Sequence, residues 1–271
     1  MLQLVLCELQ KLKKCNILWV IATGALFSAF MTFIQFVMAQ NIDHQAADFE
    51  QFYMAAIWNN FFVAFPLIIT LMGGMIFNQE YSNGTLKAIL TIPISIKKLY
   101  AAKIIVIGFL VLALSIVNDI FVFIGANLLH LQGINGLPMM KSLLQICGIA
   151  IFIYIAVLPL IIWGFRKVNG YYPTLCIAFM YGFFGNFLIP RGLGDFYPIT
   201  AGLRIIQYAV LPEGNIFVAL LTVAIMILIS VGMICLAPYS YERAIQNNKK
   251  PDIKNDIDAG VDTGTAEVGG R

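Results

Sequence analysis

The run Ile17–Met38, ILWVIATGALFSAFMTFIQFVM, contains no charged residue over a length sufficient for a helix to cross a bilayer. The whole chain shares this apolar character. Of its 271 residues, 60% are apolar and 11% are charged, and the mean hydropathy is +0.85. A soluble domain usually carries about 25% charged residues. The composition therefore predicts an all-α integral membrane protein, and no nucleic acid is expected among its partners.

Five further apolar runs follow the first, and together they predict six membrane-spanning helices. The sequence favours one transmembrane domain over residues 1–245, followed by a tail over residues 246–271 that is rich in acids and glycines. Such a composition predicts a disordered cytoplasmic tail. The five runs are about Ile57–Phe77, Ile104–Leu129, Leu143–Phe165, Tyr171–Ile189 and Ile216–Ala237.

The placement of lysine and arginine predicts the orientation, because positively charged flanks stay in the cytoplasm. Of the 17 basic residues, only Lys141, Arg191 and Arg204 lie on one set of alternate flanks. The other set carries the rest. Both termini are therefore predicted in the cytoplasm, with the chain in the plasma membrane.

The N-terminal segment Met1–Asn16 has the pattern of an amphipathic helix. Its leucines and Val5 recur at helical spacing on one side, whereas Glu8, Lys11 and Lys14 fall elsewhere on the wheel. This pattern predicts a helix lying in the inner membrane interface with its apolar face toward lipid. The alternative is a simple extension of the first span.

A polar insert, Asn78–Leu99 or NQEYSNGTLKAILTIPISIKKL, separates the second and third apolar runs. Gly84 permits a turn, Thr85 can cap a helix, and Pro93 would end it. The intervening two turns place Leu86, Ile89 and Leu90 on one side, with Lys87 elsewhere. A helix this short is not stable alone, so its apolar side needs either lipid headgroups or a soluble partner. Glu80, before the turn, is placed to fix the angle of this helix by accepting hydrogen bonds, or is an ordinary solvated acid.

The insert resembles the first cytoplasmic loop of ABC type-2 exporter permeases. The resemblance rests on Glu80-x-x-x-Gly84-Thr85-Leu86-Lys87, on Leu90-Thr91-x-Pro93, and on the basic pair before Lys103. The N-terminal CELQKLKKCNILWV also resembles the membrane-entry segment of these permeases. The resemblance covers about residues 1–245 and is closest to the lantibiotic and bacitracin immunity branch.

The resemblance implies that the short helix of the insert is a coupling helix, which docks on a nucleotide-binding subunit. ATP and Mg would bind to that separate ABC ATPase, and this chain would be a non-catalytic subunit without a cofactor. The sequence agrees, since it contains no G-x-x-x-x-G-K-[ST] motif. The residues implied in ATPase coupling are Glu80, Gly84, Thr85, Leu86, Lys87, Ile89, Leu90 and Pro93.

The resemblance further implies a dimer with a second permease, identical or paralogous. It implies an exported amphipathic substrate, an antimicrobial peptide of the lantibiotic or bacitracin type, expelled for self-immunity or resistance.

Asp119 is the one acid inside a predicted span, where its charge costs about 2.5–3.5 kcal/mol of insertion free energy. Asp119, Asn118 and Asn127 are therefore candidates for the substrate path. The alternative for Asp119 is an interhelical hydrogen bond or protonation.

Two other classes of protein remain open from the residues alone. Gly192-Leu193-Gly194-Asp195 reads as the GxGD signature of intramembrane aspartyl proteases, with Asp119 as the second acid. Asp195, however, falls in a predicted external loop. A secondary transporter of a small amphipathic compound is the second alternative, although it predicts charged pairs or a repeat that the sequence does not display.

The two histidines, His44 and His130, lie far apart in the sequence, so no metal site is expected.

Overall fold

A computed structural model of the chain describes residues 2–12, 16–43, 48–82, 96–164, 171–208 and 214–235. These residues form α-helices, one π-helix and two short 3-10 helices, and their only β-type contact is an isolated bridge between Asp48 and Gln132. The prediction of an all-α protein is confirmed. The helices are α1 (Leu2–Leu12), α2 (Ile17–Asp43), α3 (Phe49–Asn59), α4 (Phe65–Ser82), α5 (Ile96–Leu128), α6 (Gly136–Gly164), α7 (Tyr171–Leu188), α8 (Pro198–Ile205) and α9 (Ile216–Cys235).

Six helical stretches among the described residues are long and apolar enough to cross a membrane, as the sequence predicts. A π-helix, Asn60–Ala64, joins α3 to α4, so the two form one continuous stretch. The six stretches are Ile17–Ala39, Phe49–Asn78, Lys97–Leu128, Gly136–Gly164, Tyr172–Arg191 and Ile216–Cys235.

The second and fourth stretches begin earlier than the apolar runs indicate. The second begins at Phe49, because Phe49, Phe52 and Tyr53 are buried in the core and favour helix over an external loop. The fourth begins at Gly136. Pro138 lies in its first turn, where the missing backbone N–H costs no hydrogen bond. A proline that reads as a loop residue therefore lies inside the helix.

The core lies where α3, the π-helix and α4 pack against α6 and α7. In the most apolar part of the second stretch, 72% of the residues are buried by the chain itself, against 17% in α9. Helix α2 packs on α5, and α5 packs on α6. The second stretch is therefore the central element, and α9 is peripheral.

Small residues let α2 approach its neighbours closely. A Cβ atom added at Gly24 would lie 2.8 Å from Cδ1 of Ile68 on α4. Ala25 and Ser28, which follow on the same side, are buried. Close packing at small side chains is a common way for membrane helices to associate. The four-residue spacing of these small residues therefore serves a contact within the chain.

The short helix of the insert is a prediction that lies outside the described residues, and so does the tail over 246–271. Helix α1 is present as predicted. Leu2 and Leu6 are exposed, whereas Glu8 and Leu12 are buried against the rest of the chain. The polar side of α1 therefore faces protein at Glu8.

Candidate functional site

The π-helix at the centre of the fold has a local cause in the sequence. Pro66 lies at the second position of α4 and has no N–H to donate to a carbonyl in the preceding turn. The N–H of Phe65 bonds to the carbonyl of Asn60, five residues back, which is the π-helical pattern. Single π-helical turns inside α-helices often mark functional sites.

The carbonyl of Phe62, four residues before Pro66, faces a neighbouring helix at close range. A Cβ atom added at Gly182 of α7 would lie 2.6 Å from the Phe62 carbonyl oxygen and 3.0 Å from Cγ of Pro66. Only glycine fits at position 182 without a shift of the helices. Gly182 therefore has a packing role that brings α7 onto the π-helix.

A buried network of uncharged polar groups begins at the π-helix. The hydroxyl of Ser28 donates to Oδ1 of Asn60. Nδ2 of Asn60 donates to Oδ1 of Asn118 over 2.7 Å, and Nδ2 of Asn118 donates to the carbonyl of Ala25 over 3.1 Å. Ser28, Asn60 and Asn118 are all buried. The network joins α2, the π-helix and α5, and such satisfied buried networks specify one arrangement of helices.

A second, more open set of polar groups adjoins the first. Nδ2 of Asn59 donates to the hydroxyl of Thr32 over 3.0 Å and to Oε1 of Gln35 over 2.8 Å. The hydroxyl of Thr32 in turn donates to the carbonyl of Ser28. Because Asn59 and Asn60 are consecutive, one turns to this open set while the other turns to the core.

A cleft of about 370 Å³ opens beside these groups at the surface of the helix bundle. Its volume falls within the range typical of small-molecule sites. Its walls come from α2 on one side and from the end of α3 and the π-helix on the other. The lining residues are Phe27, Ser28, Met31, Gln35, Trp58, Asn59, Phe62, Val63 and Ala64.

The three substrate-path candidates are separated in the structure. Asn118 belongs to the buried network, and Asp119 accepts a hydrogen bond of 3.0 Å from the hydroxyl of Ser142 on α6. Asn127 is exposed and donates to the carbonyl of Phe123 in its own helix. Asn118 therefore lies at the inner end of the network that leads to the cleft, and Asn127 lies apart.

Sequence reasoning missed Gln35, Asn59 and Asn60, because it chose its substrate-path candidates only in the span that contains the acid Asp119. A signal for them exists in the sequence. Two consecutive asparagines precede Pro66 inside an apolar run, where each side-chain amide needs a partner.

A buried ion pair lies at the base of the insert, where α4 and α5 flank it. Nζ of Lys103 lies 3.3 Å from Oε2 of Glu8 and donates to the carbonyl of Ile76 over 3.1 Å. Lys11 lies 2.5 Å from the other oxygen of Glu8. These contacts fasten α1 to the beginning of α5 and to α4 near its end. The insert therefore leaves from a fixed base.

The implied coupling residues are only partly visible. Glu80 lies in the last turns of α4. The other seven, Gly84, Thr85, Leu86, Lys87, Ile89, Leu90 and Pro93, lie outside the described residues.

Asp195, the acid of the GxGD sequence, has a structural set of partners. Its Oδ1 accepts from Nε of Arg204 over 2.9 Å, and its Oδ2 accepts from the backbone N–H of Asn215 over 2.8 Å. Its carbonyl accepts from the hydroxyl of Thr222. Among the described residues, no hydrogen bond joins Asp195 to Asp119. Asp195 therefore ties α8 to the beginning of α9.

A comparison with known families completes this picture. The model of a family described as ABC-2 family transporter protein matches residues 4–185, more than half of the chain, from α1 into α7. No curated protein and no solved structure matches the chain. The match includes the insert, the π-helix and the cleft, and the six apolar helices agree with it. The chain therefore belongs to the ABC-2 family of transporter proteins, as a multi-pass membrane permease subunit of an ABC transporter.

Proposed function

We propose that this chain couples ATP hydrolysis by a separate subunit to the expulsion of an amphipathic antimicrobial peptide. Family membership implies an ABC ATPase as the partner. The proposed cargo is a peptide of the lantibiotic or bacitracin type, and the proposed role is self-immunity or resistance in a bacterium. ATP and Mg belong to the partner subunit in this proposal.

The observation that carries the coupling is the ion pair at the base of the insert. Lys103 on α5 meets Glu8 on α1 and the carbonyl of Ile76 on α4, and both charged side chains are at most 5% exposed. A force applied to the insert is therefore passed to three helices together. Helix α4 continues directly into the π-helix and the polar network.

The orientation in this proposal follows from the basic flanks. Both termini and the insert lie in the cytoplasm, where the ATPase is found. The apolar side of the short helix, with Leu86, Ile89 and Leu90, then docks in a groove of the ATPase. The largely uncovered helix α9 is available for lipid or for a second permease.

The cargo is tested by peptide-stimulated ATP hydrolysis. The chain is purified with the ATPase encoded beside it and reconstituted in lipid nanodiscs. We expect a lantibiotic-type or bacitracin-type peptide to raise the hydrolysis rate severalfold, and cells that express both genes to survive higher peptide concentrations. Unchanged hydrolysis and unchanged survival with both peptide types would remove antimicrobial peptides as the cargo.

A further inference from the structure

Two hydrogen-bonding atoms in the cleft have no partner within the described part of the chain. Both N–H groups of Asn59 are used, by Thr32 and Gln35, which leaves Oδ1 of Asn59 as a free acceptor. Gln35 accepts from Asn59, which leaves its Nε2 as a free donor. The free donor and the free acceptor thus belong to two side-chain amides that are joined by a hydrogen bond of 2.8 Å.

Both residues belong to helical stretches that are long and apolar enough to span a membrane, and most of their neighbours in the cleft are apolar. An unpaired donor or acceptor in such surroundings is costly. A ligand that supplies one acceptor and one donor would satisfy both. An amide group supplies this pair, because it has a carbonyl for Gln35 and an N–H for Asn59.

The walls of the cleft define the rest of the ligand. Phe27, Met31, Trp58 and Phe62 are large and apolar, and Phe27 and Met31 are 55% and 39% exposed. Among the described residues that line the cleft, none is charged. Methionine and aromatic side chains adapt to bulky apolar groups. The cleft therefore suits an uncharged polar group beside a large apolar one.

We propose that this cleft binds an amphipathic molecule through an uncharged amide of the peptide-bond type, held between Gln35 and Asn59. This inference rests on the proposed function, since it names the group by which the exported peptide is recognised. Phosphatidylcholine fits less well, because its ester carbonyls and phosphate oxygens accept hydrogen bonds but it has no N–H to offer Asn59.

The chain has three tryptophans, and one of them reports on the cleft. Trp58 lines it, whereas Trp19 and Trp163 are 71% and 56% exposed elsewhere. The double variant Trp19→Phe/Trp163→Phe leaves Trp58 as the sole tryptophan of the full chain in phosphatidylcholine nanodiscs. The variant Trp58→Phe keeps the other two tryptophans and reports how much of a probe enters the bilayer.

Two matched probes isolate the amide. One is the secondary amide N-hexyl-(bromophenyl)acetamide, and the other is the ester hexyl (bromophenyl)acetate, which lacks the N–H. Bromine quenches tryptophan at short range. We expect saturable quenching of Trp58 by the amide at a concentration about tenfold lower than by the ester, the effect of one additional hydrogen bond. Equal quenching by both probes, after correction with Trp58→Phe, would overturn the inference.

A variant with a matched control tests the role of Gln35. Gln35 is exposed, so Gln35→Leu should fold and should weaken quenching by both probes about tenfold, because the carbonyl of each probe accepts from Gln35. Thr23→Val is the matched control, because Thr23 is also on α2 but bonds to the backbone of its own helix. Amide and ester quenching that are both unaltered in Gln35→Leu would refute the role of Gln35.

The remaining outcome concerns lipid. If phosphatidylcholine brominated on its acyl chains quenches Trp58 and the unbrominated amide does not relieve this quenching, lipid occupies the cleft and the inference fails. The measurement needs no ATPase. Amide binding without a co-purifying ATPase would refute the proposed function alone, and an active complex without amide binding would refute this inference alone.

Discussion

Asn60 on the π-helix and Asn118 on α5 share a hydrogen bond of 2.7 Å in the buried core, although 58 positions separate them in the chain. Asn118 also donates to the carbonyl of Ala25 on α2, and Asn60 accepts from Ser28. Two side-chain amides thereby hold three membrane helices in register at the point where the helix geometry changes.

This bond predicts an energetic coupling between the two asparagines. In a double-mutant cycle with Asn60→Ala and Asn118→Ala, we expect a coupling free energy of about 1 kcal/mol. This value lies in the upper half of the range measured for hydrogen bonds between membrane helices. The measurement is the free energy of unfolding in mixed micelles titrated with a denaturing detergent. Additive effects of the two substitutions would contradict the coupling. Asn127→Ala is the control, and it should change stability little because Asn127 bonds only within its helix.

The buried ion pair predicts a larger loss of stability. Glu8→Ala leaves Lys103 buried without its carboxylate, which should cost about 3–5 kcal/mol in unfolding free energy. The apolar double variant Glu8→Leu/Lys103→Met should recover most of this loss, since it removes both charges. The same unfolding titration measures all three proteins.

An exposed pair provides the control for Glu8 and Lys103. Lys141 lies 2.7 Å from Glu50, and the two side chains are 46% and 53% exposed. Lys141→Ala should cost no more than about 1 kcal/mol. If Glu8→Ala is as mild as Lys141→Ala, the pair at the base of the insert does not anchor α1.

The close approach of α7 to the π-helix predicts that Gly182→Ala is destabilising. The added methyl group would meet the Phe62 carbonyl oxygen, which is backbone and cannot rotate away. We expect a loss of about 1–3 kcal/mol from overpacking. Gly232→Ala is the matched substitution, because a Cβ at that glycine of α9 meets nothing within 4 Å. It should be neutral or slightly stabilising, since alanine favours helix. Equal effects at the two glycines would argue against the tight contact.

Tyr208 predicts a dependence of stability on alkaline pH. Burial raises the pKa of its phenol to about 12 from the ordinary 10. Since the folded protein favours the neutral phenol, this contribution is complete below about pH 10 and is lost as the pH rises toward 12. The loss should be about 2–3 kcal/mol, at 1.36 kcal/mol per unit. Tyr208→Phe keeps the ring against Trp58 but removes the ionisable group. A flatter stability curve between pH 10 and 12 is expected for this variant, and an identical curve would show that Tyr208 does not titrate in this range.

The number of spans was predictable because a bilayer requires long uncharged runs, and six such runs stand out in the sequence. Two helix starts were not predictable, because the burial of Phe49 and the position of Pro138 in a first turn depend on tertiary packing. The π-helix was also missed. Its cause, Pro66, is visible in the sequence, but a proline inside a helix can produce either a kink or a π-turn, and the sequence does not decide between them.

The candidate site was predictable only in part. Asn118 was named from its position inside a span, and the structure places it in the polar network. Gln35 and Asn59 were overlooked because uncharged amides are a weak signal in an apolar run. Their importance depends on two helices that bring them together, which a single run of sequence does not reveal.

The measurement that tests the coupling most directly is co-purification of the ATPase with the full chain. We expect a separate ABC ATPase to co-purify with the wild-type chain and to be lost from Leu86→Asp/Leu90→Asp, in which charge replaces the proposed docking side. The tail variant Ile253→Asp/Ile257→Asp carries the same charge change and should retain the ATPase. If no ATPase binds the folded wild-type chain, or if the Leu86→Asp/Leu90→Asp chain retains it as well as the tail variant does, the insert is not the coupling element.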